Sequence, residues 1–393
     1  MKCVLGATYE EVHDFLDRDR TRCLANQPGF SLLTVAGNIG CGGHGSSLKQ
    51  GSLAALVRSI SIAAVDGGGG VTSYERGDPG FDDALTHLGR IGPVVAIVLD
   101  VVDRFRISET RELVILGDDG ADWRVDLQAL VDSTIALQAQ PDVHSCELWI
   151  APYADSQGRM TAVLGTRKYA PITAPIDTPK NQRPPALRSK ALQTIAQVAA
   201  AVTARIHPRA IRPVLRWALH STTTNHGPVV MEPREGLDFG ALNENRTTTI
   251  ESGIDISTST SVAPLVDLFE TLDTMGDAEN LYLFSPIGVR FVGQGEKGGL
   301  SPQAGRARSM HVEISTFADD QWFHGSKILP RLQKLLAQAG GRPHWGLNVF
   351  LSSTELRALW PDAAWDGLKA MVAQTDQSGV FANPLLDPIV PIP

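Results

Sequence analysis

Apolar and polar residues recur along the chain with two periods, and these divide it into elements. In residues 8–19 (TYEEVHDFLDRD), Val12, Phe15 and Leu16 fall on one side at helical spacing. Thr8 and Glu11 have the spacing of a capping box, so the pattern predicts a helix entered at Thr8. A Gly-rich passage follows, LLTVAGNIGCGGHGSSLKQGS, and then LAALVRSISIAAVDGGGGV reads as a helix running into a strand. DPGFDDALTHLGRIG (78–92) predicts a short Asp-rich helix. PVVAIVLDVV (93–102) is nearly all β-branched, which suits a strand buried on both faces.

Beyond residue 110 the runs ELVIL, CELWIAPY and MTAVLGTRKY predict shorter strands. The prolines of APITAPIDTPKNQRPPALR restrict themselves and the residues before them, and predict a linker or surface excursion. Helices are predicted over 187–206, 262–275, 326–339 and 353–373, and strands at LYLFSPIGVRFV and MHVEISTF. The fold class expected is α+β, with an antiparallel sheet and flanking helices, in three parts: 1–110, 111–340 and 341–393.

Composition narrows the function classes. With 43% apolar and 20% charged residues the 393-residue chain is globular rather than disordered. A net charge of -8 gives no basic footprint and argues against nucleic acid as partner. No apolar run approaches the ~18 residues that would cross a bilayer. The N-terminus has no apolar core of a secretory signal, so a cytoplasmic location is expected. Cys3, Cys23, Cys41 and Cys146 are scattered, which predicts free thiols and no metal site.

Five segments carry candidate chemistry. In Thr34-Val35-Ala36-Gly37-Asn38-Ile39-Gly40-Cys41-Gly42-Gly43-His44-Gly45-Ser46-Ser47 the glycines permit positive φ and let backbone N–H groups converge on an anion or a flat ring. A loop that is Gly-rich only for turning is the other reading. Downstream, Val65-Asp66-Gly67-Gly68 and Leu88-Gly89-Arg90-Ile91-Gly92-Pro93 would line the same cleft. In Ser285-Pro286-Ile287-Gly288-Val289-Arg290-Phe291, strand alternation sets Gly288 and Arg290 on one face, opposite Ile287 and Val289. Arg342-Pro343-His344-Trp345-Gly346-Leu347 and Thr375-Asp376-Gln377-Ser378-Gly379-Val380-Phe381-Ala382-Asn383 are expected at helix ends.

In this order the segments resemble the FAD-dependent oxidases of the vanillyl-alcohol oxidase superfamily, with their PCMH-type FAD-binding domain. The similarity is greatest to the aldonolactone and alditol oxidase branch. The resemblance implies a partial FAD-binding domain over 1–110, a substrate domain over 111–340 and a segment over 341–393 that returns to the flavin. It implies that Thr34, Gly37, Ile39, Gly42, Gly43, His44, Gly45, Ser46, Val94, Ile97 and His344 meet the FAD, and that Arg290 faces the substrate. The implied reaction moves a hydride from the CH–OH group of a sugar lactone, polyol or related alcohol to flavin. Oxygen or another acceptor then reoxidises it.

Three departures from the pattern stand out. The family's first subdomain, with its own pyrophosphate loop, has no counterpart in the chain, so a missing N-terminal FAD subdomain is expected. Gly288 stands where the family has Glu, and Leu347 where it has Lys. Glu313 and His311 on a nearby predicted strand are candidates for the base. A non-catalytic or truncated flavin-fold remnant acting as a binding module is the second reading.

Overall fold

The computed structural model of the chain describes residues 1–4, 6–65, 69–177, 203, 206–223, 227–238 and 247–390. The long helix expected over 187–206 and part of Val65–Gly68 lie outside the described residues.

The first helix spans Tyr9–Leu16 and has the capping box its sequence predicts. Thr8 Oγ1 accepts from the Glu11 N–H at 3.2 Å, and the Glu11 carboxylate accepts from the Thr8 N–H at 2.9 Å. Each bond satisfies an N–H that the first turn leaves without a partner. The early strands are β1 (Lys2–Val4), β2 (Arg22–Cys23), β3 (Val57–Ala63), β4 (Val71–Glu75), β5 (Val94–Leu99) and β6 (Val102–Asp103). Four of them make an antiparallel sheet in the order β1-β5-β3-β4, and β2 pairs with β6.

Later strands are β7 (Arg106–Leu116), β8 (Val143–Ile150), β9 (Met160–Ala170), β10 (Val229–Met231), β11 (Thr247–Asp255), β12 (Ile287–Val292), β13 (Ser309–Phe317) and β14 (Arg342–Pro343). They form one eight-stranded sheet in the order β10-β7-β9-β8-β12-β13-β11-β14, antiparallel throughout. One face is apolar. Leu148, Ile150, Ile287, Val289, Phe291, Val312, Ile314 and Ile250 are buried in the same core as the helices Trp123–Gln138, Ala263–Glu279 and Gly325–Gln338. A second core joins the small sheet to residues from the end of the chain, including Leu356, Trp360, Trp365, Leu368, Leu386 and Val390.

Several expectations change. Residues 123–138, which lie among strand-like runs, form a helix capped by Asp122, with Leu127, Leu130, Val131 and Ile135 turned inward. Residues 281–286 are not strand: they cross the core as a loop held where the Leu283 N–H donates to Tyr153 Oη at 2.6 Å. The single helix expected over 353–373 is two, Ser353–Leu359 and Asp362–Thr375. The break is Pro361, which forces Trp360 into extended backbone at φ -118°, ψ 151°. Arg342-Pro343 is an edge strand rather than a helix end.

Candidate active site

Opposite its helix-covered face, the large sheet carries charge. Register alignment places Arg111, Gly165, Glu147, Arg290, His311 and Gly253 in one row across six strands. The next row holds Val163, Trp149, Gly288, Glu313 and Glu251. The period of two that buries Ile287, Val289 and Phe291 puts Gly288 and Arg290 on this side, as their spacing predicts. Gly165 and Gly253 admit neighbouring rings. A Cβ at 165 would lie 2.7 Å from the Trp149 ring, and one at 253 would lie 2.7 Å from that of His311. Gly288 differs, since a Cβ there would meet only Glu313 Cβ, at 3.6 Å. The row is open at that point.

Arg290 binds the face together. Its guanidinium reaches Glu313 at 2.8 Å, Glu251 at 3.3 Å and Glu147 at 3.7 Å. Burial opposes its charge, but these three carboxylates more than compensate and hold it protonated. Glu147 and Glu251 are almost sealed, each with 2% of its side chain exposed, whereas Glu313 keeps 27%. Burial lifts the Glu313 carboxyl above the ordinary glutamate range. Arg290 pulls it down, and Glu251 and Glu147 push it up further.

The Gly-rich segment delivers His44 into this cluster. Ser46 Oγ donates to Cys146 O at 2.8 Å and Ser47 Oγ to His144 O at 2.6 Å, pinning the loop along β8. His44 Nδ1 lies 2.8 Å from Gly45 O, which can only accept, so Nδ1 carries a proton. His44 Nε2 is 2.5 Å from Glu251 Oε1. His311 Nδ1 donates to the same oxygen at 2.9 Å while its Nε2 accepts from Ser309 Oγ at 3.1 Å. Burial would raise the Glu251 carboxyl; His44 and the bonds from both imidazoles reverse that and hold it well below the usual range. Burial and the facing His44 push His311 down to about 3, so it is neutral. His344 completes the group. Its ring lies 5.4 Å from that of His44, and its Nδ1 accepts from the Gly346 N–H at 3.0 Å. That leaves its proton on Nε2, and lost hydration lowers its pKa to about 4. Ligating atoms of His44, Glu251 and His344 fall within 4.8 Å of one another, but Glu251 Oε1 is already shared between His44 and His311.

The remaining sequence candidates serve several ends. Thr34 is an exposed N-cap of the short helix Val35–Gly40, its Oγ1 accepting from the Gly37 N–H at 3.2 Å. Ile39 is buried beneath it. Gly42 has φ +76°, a left-handed turn that favours glycine. At Gly43 and Gly45 a Cβ would come within 2.2 Å of the Asn38 and Asn26 side chains, so these two glycines make room for protein atoms. Ile97 lies between β1 and β3, its side chain in the core. Val94 lies beyond the end of β1 and pairs with β3 alone. Sequence reasoning passed over Glu251, Glu147 and Trp149. The signal available was a charged or aromatic residue on the polar side of otherwise apolar runs such as CELWI.

The sequence profile of the D-arabinono-1,4-lactone oxidase family matches residues 138–389. The chain belongs to that family. An alditol oxidase from a Streptomyces species is 34% identical over 383 residues, covering 92% of this chain and 74% of that protein. L-gulonolactone oxidase of Mus musculus is 31% identical over 105 residues, 27% of this chain and 24% of that one. The solved cholesterol oxidase of Brevibacterium sterolicum superposes with a TM-score of 0.73 over 100% of this chain and 81% of its own, at 16% identity, which speaks for the fold. Like others of its family, the protein is an FAD-dependent oxidoreductase acting on CH–OH donors. Among the described residues no helix is long and apolar enough to cross a membrane.

The residues on the polar face suit a flavin by the chemistry of their donors. Arg290 and the Nε2–H of His344 are donors with part of their surface open, as the carbonyl and ring-nitrogen acceptors of a flavin require.

Proposed function

We propose that the protein oxidises a CH–OH group of a polyol or sugar lactone over the polar face of the large sheet, passing two electrons to FAD and then to oxygen. The observation that carries this reading is Arg290, a guanidinium kept charged by three carboxylates yet open to small molecules beside the Gly288 gap. When bound, FAD supplies the hydride acceptor. Arg290 orients the substrate oxygen by hydrogen bonding, and His344 offers its Nε2 proton to an acceptor on the same side. In this reading His344 faces the flavin position, and Thr34, Gly37, Ile39, Gly42, Gly43, His44, Gly45, Ser46, Val94 and Ile97 shape the elements around it, Gly43 and Gly45 by admitting Asn38 and Asn26 and Ile39 and Ile97 from the core. The small-molecule names of the relatives, alditol and lactone oxidases, support the substrate class.

A remnant without chemistry fits less well. Buried charges are costly, and apolar replacements of similar volume are commonly neutral or stabilising. A chain with no use for them has no physical reason to keep Glu147, Glu251, Arg290 and three histidines together. The test is peroxide release by the FAD-loaded protein with xylitol, sorbitol, L-gulono-1,4-lactone, D-arabinono-1,4-lactone and cholesterol. Saturable turnover of a polyol or lactone is expected. A folded, FAD-loaded protein that neither releases peroxide nor bleaches anaerobically with any of them refutes the reading.

A further inference from the structure

The open place in the charged rows is Gly288, and what borders it decides where a substrate hydroxyl can lose its proton. Gly288 is paired across the sheet with Glu313 on one side and Trp149 on the other. Strand geometry brings directly opposed side chains within about 5.5 Å at Cβ. Glu313 therefore borders the space left empty at position 288, which only its Cβ approaches, at 3.6 Å from where a Cβ of residue 288 would stand. Its Oε2 is fixed by Arg290 Nη2 at 2.8 Å, on the strand that carries the gap.

The other carboxylates near Arg290 are sealed from solvent. Glu251 Oε1 takes hydrogen bonds from His44 and His311, and its Oε2 takes one from Arg290 at 3.3 Å. Glu147 is sealed at 2% exposure and faces Arg167 at 3.4 Å as well as Arg290. Only Glu313 among these three combines a place beside the gap with 27% exposure. We propose that Glu313 is the catalytic base of this protein, taking the proton of a substrate hydroxyl that sits in the space Gly288 leaves beside it, across the strand pair.

This assignment rests on the proposed CH–OH oxidation. The hydroxyl O–H proton goes to Glu313. The electrons of that O–H bond form the second C–O bond of the product, and the C–H hydride leaves with two electrons to the FAD. Glu313 then returns its proton to solvent along its exposed edge. The groups facing it are Arg290 from β12, Glu251 from β11, Glu147 from β8 and His44 from the Gly-rich loop. Their net effect with burial makes it a stronger base than an ordinary glutamate, and the proton affinity of a base sets its usefulness near neutral pH.

The experiment compares FAD-loaded wild type, Glu313→Gln and the exchange variant Gly288→Glu/Glu313→Gly, using whichever polyol or lactone is oxidised. Glu313→Gln is expected to lower kcat by about 100-fold or more, at nearly constant KM, and to remove the acid limb of the kcat profile. The exchange variant restores at least a tenth of the activity. A Gln variant that keeps kcat within about threefold and retains the acid limb overturns the proposal and leaves Glu313 as a counter-ion to Arg290. A second readout needs no turnover: infrared titration of the FAD-loaded protein, where wild type shows a carboxyl titrating above the ordinary range that Glu313→Gln lacks. Identical titrations overturn the assignment even if no substrate on the panel reacts. Absence of all turnover in wild type, with the infrared difference intact, counts against the CH–OH reading alone.

Discussion

Replacing Glu251 by Gln tests whether the charged face is held as the geometry says. The side chain is 2% exposed and is shared by His44 at 2.5 Å, His311 at 2.9 Å and Arg290 at 3.3 Å. Gln keeps the shape and one acceptor oxygen but removes the charge, and its amide hydrogens face groups that are themselves donors. Removing one partner of a buried ion pair costs about 3–5 kcal/mol, because the remaining charge stays buried without compensation. At ~2 °C per kcal/mol for a unit of this size, the thermal midpoint at pH 7 is expected to fall by roughly 6–10 °C.

The pH dependence gives a second check of the same variant. The folded carboxyl of Glu251 is held well below its unfolded value of about 4.3. A depressed carboxyl contributes stability above the unfolded value and loses it as pH falls toward the folded one. The gap between wild type and Glu251→Gln is therefore widest near neutral pH and closes below about pH 4.3. Denaturant titrations at pH 7, 5, 4 and 3.5 measure it. A midpoint within 2 °C of wild type at pH 7, or a gap constant down to pH 3.5, would show that Glu251 does not anchor this cluster.

Two further outcomes follow from single positions. His87 is buried, and burial alone lowers its pKa to about 4, so the folded chain binds fewer protons than the unfolded chain between pH 6.5 and 4 and loses stability as pH falls through that window. Because its Nδ1 accepts from the Gly89 N–H at 3.0 Å, His87→Gln keeps an acceptor. Between pH 7 and 5 the variant is expected to lose about 2 kcal/mol less than wild type in urea titrations, and parallel losses would contradict the burial argument. In Gly165→Ala the added methyl lies 2.7 Å from the Trp149 ring, which Arg111 faces at 5.0 Å. Displacing that ring should cost about 1–3 kcal/mol and shift tryptophan emission, whereas an unchanged spectrum and stability would mean the ring has room to move.

Local chemistry was legible in the chain. The capping box at Thr8 and Glu11, the β-branched strand at 94–99 and the alternation that puts Gly288 and Arg290 on one side each depend on residues a few positions apart. The ordered motifs pointed to the family because they span most of the chain. Tertiary structure decided what those residues meet. Glu251, Glu147, Glu313 and Arg290 lie on different strands and become one cluster only through register, which strand alternation alone cannot supply. Gly43 and Gly45 looked from the sequence like space for a ligand, yet the fold gives that space to Asn38 and Asn26. Gly288, by contrast, read as a lost carboxylate in the sequence and is a gap with a carboxylate across it in the fold. Sequence fixes which side of a strand a residue takes; only packing fixes what stands opposite, because that partner is set by chain segments tens to hundreds of residues away.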